Sequence, residues 1–306
     1  MIITMKNIFA KNFGLRVCMT QNNLFDIEKH ISIKEINSDK FWFKINPIVI
    51  NADPFLFVKD EILYLFYEEQ KTTFGKGVIK FIETTNLSDW SKPKVVLEEN
   101  FHLSFPFVFR SGEDLYMIPE TAENNSIRLY KPNIDLTKWT YFQTILSGHK
   151  YFDSSIIEYN STFYLFTTII SANIYTLKLY FSDSLDNTWV EHPCSPICIG
   201  NKASRNGGSV IKYNNVLYRP AQNCEKIYGE KLAIYKINEL TKTNYKEKLL
   251  YKDVFSKQIP FYSIGGHHFN HVIFQNEIIV ASDALQCNYN IFEIWKRLIK
   301  TIKSNF

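Results

Sequence analysis

Residues 53–69 read DPFLFVKDEILYLFYEE: two apolar runs of alternating pattern on either side of a polar turn at Lys59-Asp60-Glu61. That is the signature of a β-hairpin. The chain writes it again, without a gap, as FPFVFRSGEDLYMIPET from Phe105, DSSIIEYNSTFYLFTTI from Asp153 and GGSVIKYNNVLYRPAQN from Gly207, and more loosely as FNHVIFQNEIIVASDA from Phe269. Turn residues Asp60, Gly112, Asn160, Asn214 and Asn276 occupy one copy position, and Tyr64, Tyr116, Tyr164 and Tyr218 another.

The copies start 52, 48, 54 and 62 residues apart, the period of a supersecondary unit repeated around a ring or along a solenoid. Each of the first four units continues with an alternating segment and then an aromatic (Trp90, Trp139, Trp189, Tyr245) that falls 34 to 38 residues after the copy begins. A further short apolar run follows, such as PKVVLEE or KEKLLYKDV. Four antiparallel strands per unit in five units predict an all-β, five-bladed β-propeller. A solenoid of this period needs a helix in each repeat, and none carries a long 3.6-residue pattern.

One domain of five blades uses nearly all of the 306 residues, and 16% aromatic content suits broad blade faces packed against each other. A net charge of +4 gives no ground for a nucleic-acid partner. The odd count of five cysteines reads as reduced thiols. His192-Pro-Cys194…Cys198 has no second pair to complete a metal site, and no cofactor or metal motif is read elsewhere. With no signal-peptide core in residues 1–20 and no run of about 18 apolar residues, the expected compartment is the cytoplasm.

The fifth copy lacks an outer strand pair. Because an open ring would expose strand edges, the extended segment 39–52 is expected to complete that blade. Residues 289–306 change period: Ile291, Ile294, Trp295, Leu298, Ile299 and Ile302 share a helical stripe opposite Lys296, Arg297, Lys300 and Lys303. This predicts a C-terminal amphipathic helix, which either packs on the propeller or makes peripheral contact with the inner face of an anionic membrane.

In a hairpin the first and last residues are neighbours, so copy positions 0 and 15 meet at one mouth of the central channel. Position 0 holds Asp53, Phe105, Asp153, Gly207 and Phe269; position 15 holds Glu68, Glu120, Thr168, Gln222 and Ala284. The repeat is least self-similar here, which points to function. Glu69, His102, Arg205, Arg219 and His268 lie near the same end, and carboxylates interleaved with Arg, His and aromatics suit a sugar, whose hydroxyls need both donors and acceptors. The alternative for each is a structural ion pair or hydrogen bond.

At these residues the sequence resembles the five-bladed superfamily of arabinanases, β-xylosidases, invertases and levansucrases, through Asp53-Pro54, Pro119-Glu120 and Asp153. NADPFLF, FYEE, GKGVI, HLSFPFVF, YMIPE, DSSII, LYRPAQNC and YGEKLAIYKI, over about residues 45–285, are similar to the N-terminal propeller of plant glucosamine inositolphosphorylceramide transferases and bacterial relatives. The resemblance implies carbohydrate chemistry, with glycosyl transfer in the plant proteins assigned to a separate domain. It implies Asp53 as base or nucleophile, Glu120 as general acid and Asp153 as orienting or pKa-tuning partner; the polar residues placed at the same end, Glu68, Glu69, His102, Arg205, Arg219, Gln222 and His268, are expected to bind substrate. Phe105 departs from the glycosidase pattern, which places an aspartate there. The expected activity is glycosyl transfer from an activated sugar donor in glycoconjugate synthesis; the alternatives are hydrolysis and a non-catalytic sugar-binding or docking module.

Overall fold

The computed structural model describes residues 9–21, 23–36, 43–44, 49–71, 75–255 and 258–290. They form five sheets, antiparallel except for one two-residue parallel pairing, arranged as the blades of a propeller. The first blade comprises Val49–Lys59, Ile62–Lys71, Gly77–Thr84 and Lys94–Leu97, and the second Ser104–Ser111, Asp114–Glu120, Ser126–Pro132 and Trp139–Ser147. The third runs Tyr151–Tyr159, Thr162–Ser171 and Ile174–Ser182, its outer edge split between Val190–Glu191 and Cys198–Ile199. In the fourth, Val216–Asn223, Lys231–Leu240 and Tyr245–Tyr251 follow an inner strand broken into Arg205–Asn206 and Ile211–Tyr213.

Local sequence explains each hairpin. The two residues at the tip, Asp60-Glu61, Asn160-Ser161, Asn214-Asn215 and Gln275-Asn276, all have positive φ, as does Gly112. Two successive left-handed residues give the turn whose twist matches that of the strands. The repeated Leu-x-x-Trp segment is a second device: Leu87 and Leu136 have positive φ, and the indole N–H groups of Trp90 and Trp139 donate to their carbonyls at 3.1 and 3.2 Å. Between the first two blades, Phe55, Phe66, Phe81, Phe105, Phe107 and Trp139 are buried in one cluster, with Phe66 edge-on to Trp139 at 5.9 Å. Each such ring removed from water contributes about 1.5–3 kcal/mol.

The fifth blade corrects the expected closure. Phe269–Phe274 and Glu277–Asn290 are completed by Phe9–Thr20 and Ile31–Ile36, upstream of the expected segment 39–52. Of that segment, Phe43–Lys44 pairs in parallel with Tyr289 and Asn290, and Val49 onward belongs to the first blade. Phe9–Thr20 has the better claim because Phe13, Leu15 and Val17 supply the alternate apolar residues a half-buried strand needs, and all three are buried. The C-terminal helix expected over 289–306 is not supported: residues 289 and 290 end a strand, and 291–306 lie outside the described residues. Among the described residues, no helix is long and apolar enough to cross a membrane.

Candidate functional site

The inner strands of the first three blades share an irregularity at copy position 0. One extra residue is inserted between Ala52 and Phe55, Ser104 and Phe107, and Phe152 and Ser155, so Glu68 pairs with Ala52, Glu120 with Ser104 and Thr168 with Phe152. At each bulge the residue is left-handed: Asp53 has φ 53°, Phe105 47° and Asp153 47°. Aspartate tolerates this conformation, whereas for phenylalanine it costs about 1–2 kcal/mol. A bulge re-aims a side chain, and here it turns two aspartates toward the mouth. The fourth blade reaches the same bend with Gly207-Gly208: a Cβ on Gly208 would lie 2.1 Å from the Phe269 carbonyl oxygen.

Asp53 is enclosed. Its Oδ2 accepts the Phe105 N–H at 3.2 Å, while its Oδ1 lies 3.3 Å from His267 Nε2 and 3.5 Å from His268 Nδ1. Burial alone would raise the carboxyl, but the two imidazoles hold it well below the usual carboxylate range. His267 Nδ1 stands 2.8 Å from Asp283 Oδ2, so one ring bridges two aspartates. Burial opposes its charge, yet Asp283 and Asp53 push it up to about 10. Asp283 also accepts the backbone N–H groups of His267 and His268 at 2.9 and 3.0 Å.

The second half of the mouth is built on Asp153. Arg205 Nε donates to its Oδ2 at 2.5 Å and Nη2 to its Oδ1 at 3.3 Å, and Gln222 Nε2 donates to Oδ2 at 2.9 Å. The Arg205 guanidinium lies over Tyr228 at 4.9 Å and Phe152 at 5.5 Å and reaches Glu120 Oε2 at 3.7 Å. Burial and then the Asp153 charge raise the Glu120 carboxyl well above its ordinary value; Glu68 is raised by burial and then by Asp53. At the mouth, Glu120 Oε2 and His268 Nε2 are among the buried polar atoms without a hydrogen-bond partner among the described residues, which in a native fold calls for water or a ligand.

Asp53, Glu68, Glu120, Asp153, Arg205, Gln222 and His268 are therefore gathered at one mouth, with His102 at its edge, 3.5 Å from Glu68. Two expected binders lie elsewhere. Arg219 is fully buried and donates to Glu247 at 2.9 and 2.6 Å and to the Ala203 carbonyl at 2.9 Å. Glu69 faces Lys80 at 2.7 Å, because adjacent strand residues point to opposite faces. Sequence reasoning missed Asp283, a lone acid within an apolar strand, and the rings of Phe13 and Tyr228, which form a wall with His267 at centroid distances of 4.4 to 6.1 Å. Asp53, His267 and Asp283 each offer one ligand atom within 4.8 Å of the others, a set that could hold a divalent cation in place of the imidazolium proton. The His192 ring is used otherwise, Nε2 against the Thr241 carbonyl and Nδ1 accepting the Cys194 N–H.

With that geometry in place, comparison with known proteins is specific. The family described as the N-terminal region of glucosamine inositolphosphorylceramide transferase 1 matches residues 42–277. The chain belongs to this family. Glucosamine inositolphosphorylceramide transferase 1 of Oryza sativa subsp. japonica is 34% identical over 203 residues, covering 64% of this chain and 27% of that protein. The protein of the same name from Arabidopsis thaliana is 32% identical over 203 residues. The chain thus spans about a quarter of the length of these relatives. Among solved structures, this transferase-family propeller resembles a family 117 glycoside hydrolase of Zobellia galactanivorans, with TM-score 0.54 and 12% identity over 93% of this chain and 92% of that one. A thermostable family 43 glycoside hydrolase gives TM-score 0.56 and 13% identity over 81% and 92%. At such identities the likeness is one of fold, the five-bladed propeller.

Proposed function

We propose that the mouth of this propeller acts on a glycosidic bond of a sugar or glycoconjugate, with Asp53 as base or nucleophile, Glu120 as general acid and Asp153 as orienting partner. The observation that carries this reading is a pair of buried carboxyl groups whose surroundings drive them in opposite directions: the imidazoles of His267 and His268 beside Asp53 favour its ionised form, while burial and the Asp153 charge favour the protonated form of Glu120. Two carboxyls split in this way are what acid–base work on a glycosidic oxygen requires. Glu120 Oε2, buried and without a hydrogen-bond partner, is free to bond a group that enters the mouth.

Transfer and hydrolysis differ in the acceptor, a sugar or lipid hydroxyl against water. Kinship with the N-terminal region of glucosamine inositolphosphorylceramide transferases supports a part in glycosyl transfer, with an activated sugar as donor, alongside the separate domain to which transfer is assigned in the plant proteins. Placement in the cytoplasm, with peripheral membrane contact through residues 289–306, belongs to the same proposal and is tested by fractionation of cells expressing the chain with and without those residues. The chemistry is tested with Asp53→Asn and Glu120→Gln on sugar-nucleotide donors and aryl glycosides, following products by mass spectrometry. Each variant is expected to lose about 10²–10⁴-fold in turnover while ligand binding changes little. Full turnover by Glu120→Gln overturns the assignment.

A second reading has its own support. Asp153 is saturated by Arg205 and Gln222, as in a structural pair, which suits a sugar-binding or docking module. On that reading the same variants lose binding, and no donor or glycoside is turned over by the wild type.

A further inference from the structure

We propose that His102 and Glu68 form a donor–acceptor fork that recognises an uncharged hydroxyl of the sugar ring and discriminates against anionic sugars. The inference rests on the carbohydrate reading of the mouth. His102 Nδ1 accepts the backbone N–H of Gly77 at 2.9 Å. A ring nitrogen that accepts an N–H carries no proton, so the imidazole is neutral and its hydrogen is on Nε2. Burial disfavours the charged form as well. The backbone N–H of His102 is held by Glu123 Oε2 at 2.8 Å, which fixes the base of the side chain.

His102 Nε2 lies 3.5 Å from Glu68 Oε1, beyond the distance of a good N–H···O bond. About a quarter of the His102 side chain is exposed, whereas Glu68 lies buried behind it. An oxygen set between them meets both groups when it accepts from His102 and donates to the Glu68 oxygen, which accepts whether the buried carboxyl holds its proton on the other oxygen or has lost it. A sugar hydroxyl does both. A carboxylate or phosphate oxygen can only accept, and it would bring its charge toward that of Asp53, which is already felt at Glu68.

The approach of the two groups is built into the backbone. A Cβ on Gly77 would stand 2.9 Å from Glu68 Oε1, 2.9 Å from His102 Cε1 and 2.2 Å from the Leu103 carbonyl oxygen, so this strand residue has to be glycine for the fork to close. Gly77 also accepts the Leu103 N–H at 3.2 Å, tying the third strand of the first blade to the segment that carries His102. The sequence pattern GKGVI thus acquires a reason at its second glycine.

The test uses the whole chain, methyl glycosides of neutral hexoses and of the matching uronic acids, and calorimetric titration beside thermal unfolding. His102→Asn keeps an acceptor where Nδ1 was but lacks the outer N–H; His102→Gln places an amide N–H near the position of Nε2. For a hexoside that binds wild type, Asn is expected to weaken affinity about tenfold at an unchanged unfolding temperature, and Gln to return it to within about threefold. The uronic glycoside is expected to bind at least about tenfold more weakly than its hexoside. Equal hexoside affinity of wild type and His102→Asn overturns the fork while leaving the sugar site standing, and so does a uronic glycoside bound as tightly as its hexoside. If no glycoside binds wild type, the carbohydrate reading falls and the fork with it.

Discussion

Two paired arginines, Arg219 fully buried and Arg205 partly so, sit in different regions and are built to different standards. Around Arg219, in the body of the fourth blade, the network is closed: Glu247 takes two of its N–H groups, the Ala203 carbonyl takes another, and the Tyr245 hydroxyl completes Glu247 at 2.6 Å. Around Arg205, at the mouth, the network is open. Asp153 is satisfied, but Glu120 Oε2 is 3.7 Å away and unpartnered, and the guanidinium is flanked by two aromatic faces. A buried ion pair that serves the fold leaves no partner short, because each unmet group costs about 1–3 kcal/mol. The pair that leaves one short is the one prepared for something not in the chain.

The sharpest way to break this comparison is Arg219→Met. It leaves the part-buried Glu247 and the Ala203 carbonyl without their partner, and a loss of about 3 kcal/mol in stability is expected from denaturant unfolding, with little change in the chemistry of whatever protein remains folded. A loss under about 1 kcal/mol would mean that the closed network is not structural.

A smaller effect is expected from pH. Folding favours the His267 imidazolium, so its contribution is complete below its ordinary value of about 6.5 and is lost as pH rises toward about 10. Glu68 and Glu120, raised by burial, weaken the fold in the same direction when they ionise. Unfolding temperature should therefore fall between pH 7 and 10, and His267→Gln should remove a large part of that slope. An unchanged slope in the variant would show that His267 is neutral between its two aspartates.

The smallest effect concerns Glu120→Gln. Since folding favours the protonated acid, a neutral amide of the same shape should leave stability within about 1 kcal/mol at pH 6, and the balance should move toward the variant as pH rises. Turnover, by contrast, should collapse. A variant strongly destabilised at all pH values would move Glu120 from the open class to the closed one.

The blades were legible in the sequence because their signals are local: two-residue turns with left-handed tips, period-two burial and the Leu-x-x-Trp indole bond all act within a few residues. Asp53, Glu120 and Asp153 were legible because each breaks the repeat at a fixed position. Closure was not, since Phe9–Thr20 pairs with residues more than 250 positions away and shares no pattern with the copies. Asp283 escaped because the fifth copy holds it one position before the place where the other copies carry their polar residue; a solitary acid in IIVASDAL was the available signal. Arg219 and Arg205 could not be told apart, because whether a network is closed depends on Glu247 and Glu120, which the chain brings in from other strands.

The seam of the ring has a mechanical consequence. Twelve residue pairs zip Phe9–Thr20 to the last inner hairpin, and Asp53 of the first blade touches His267 and Asp283 of the fifth just across from that zipper. Pulling on the N-terminal strand therefore peels open the same joint that holds the ionised aspartate in place. A molecule bound across that joint would act as a rivet, so resistance to forced unfolding should rise with occupancy, and the grip of the clasp could be read as a gauge of what sits in the mouth.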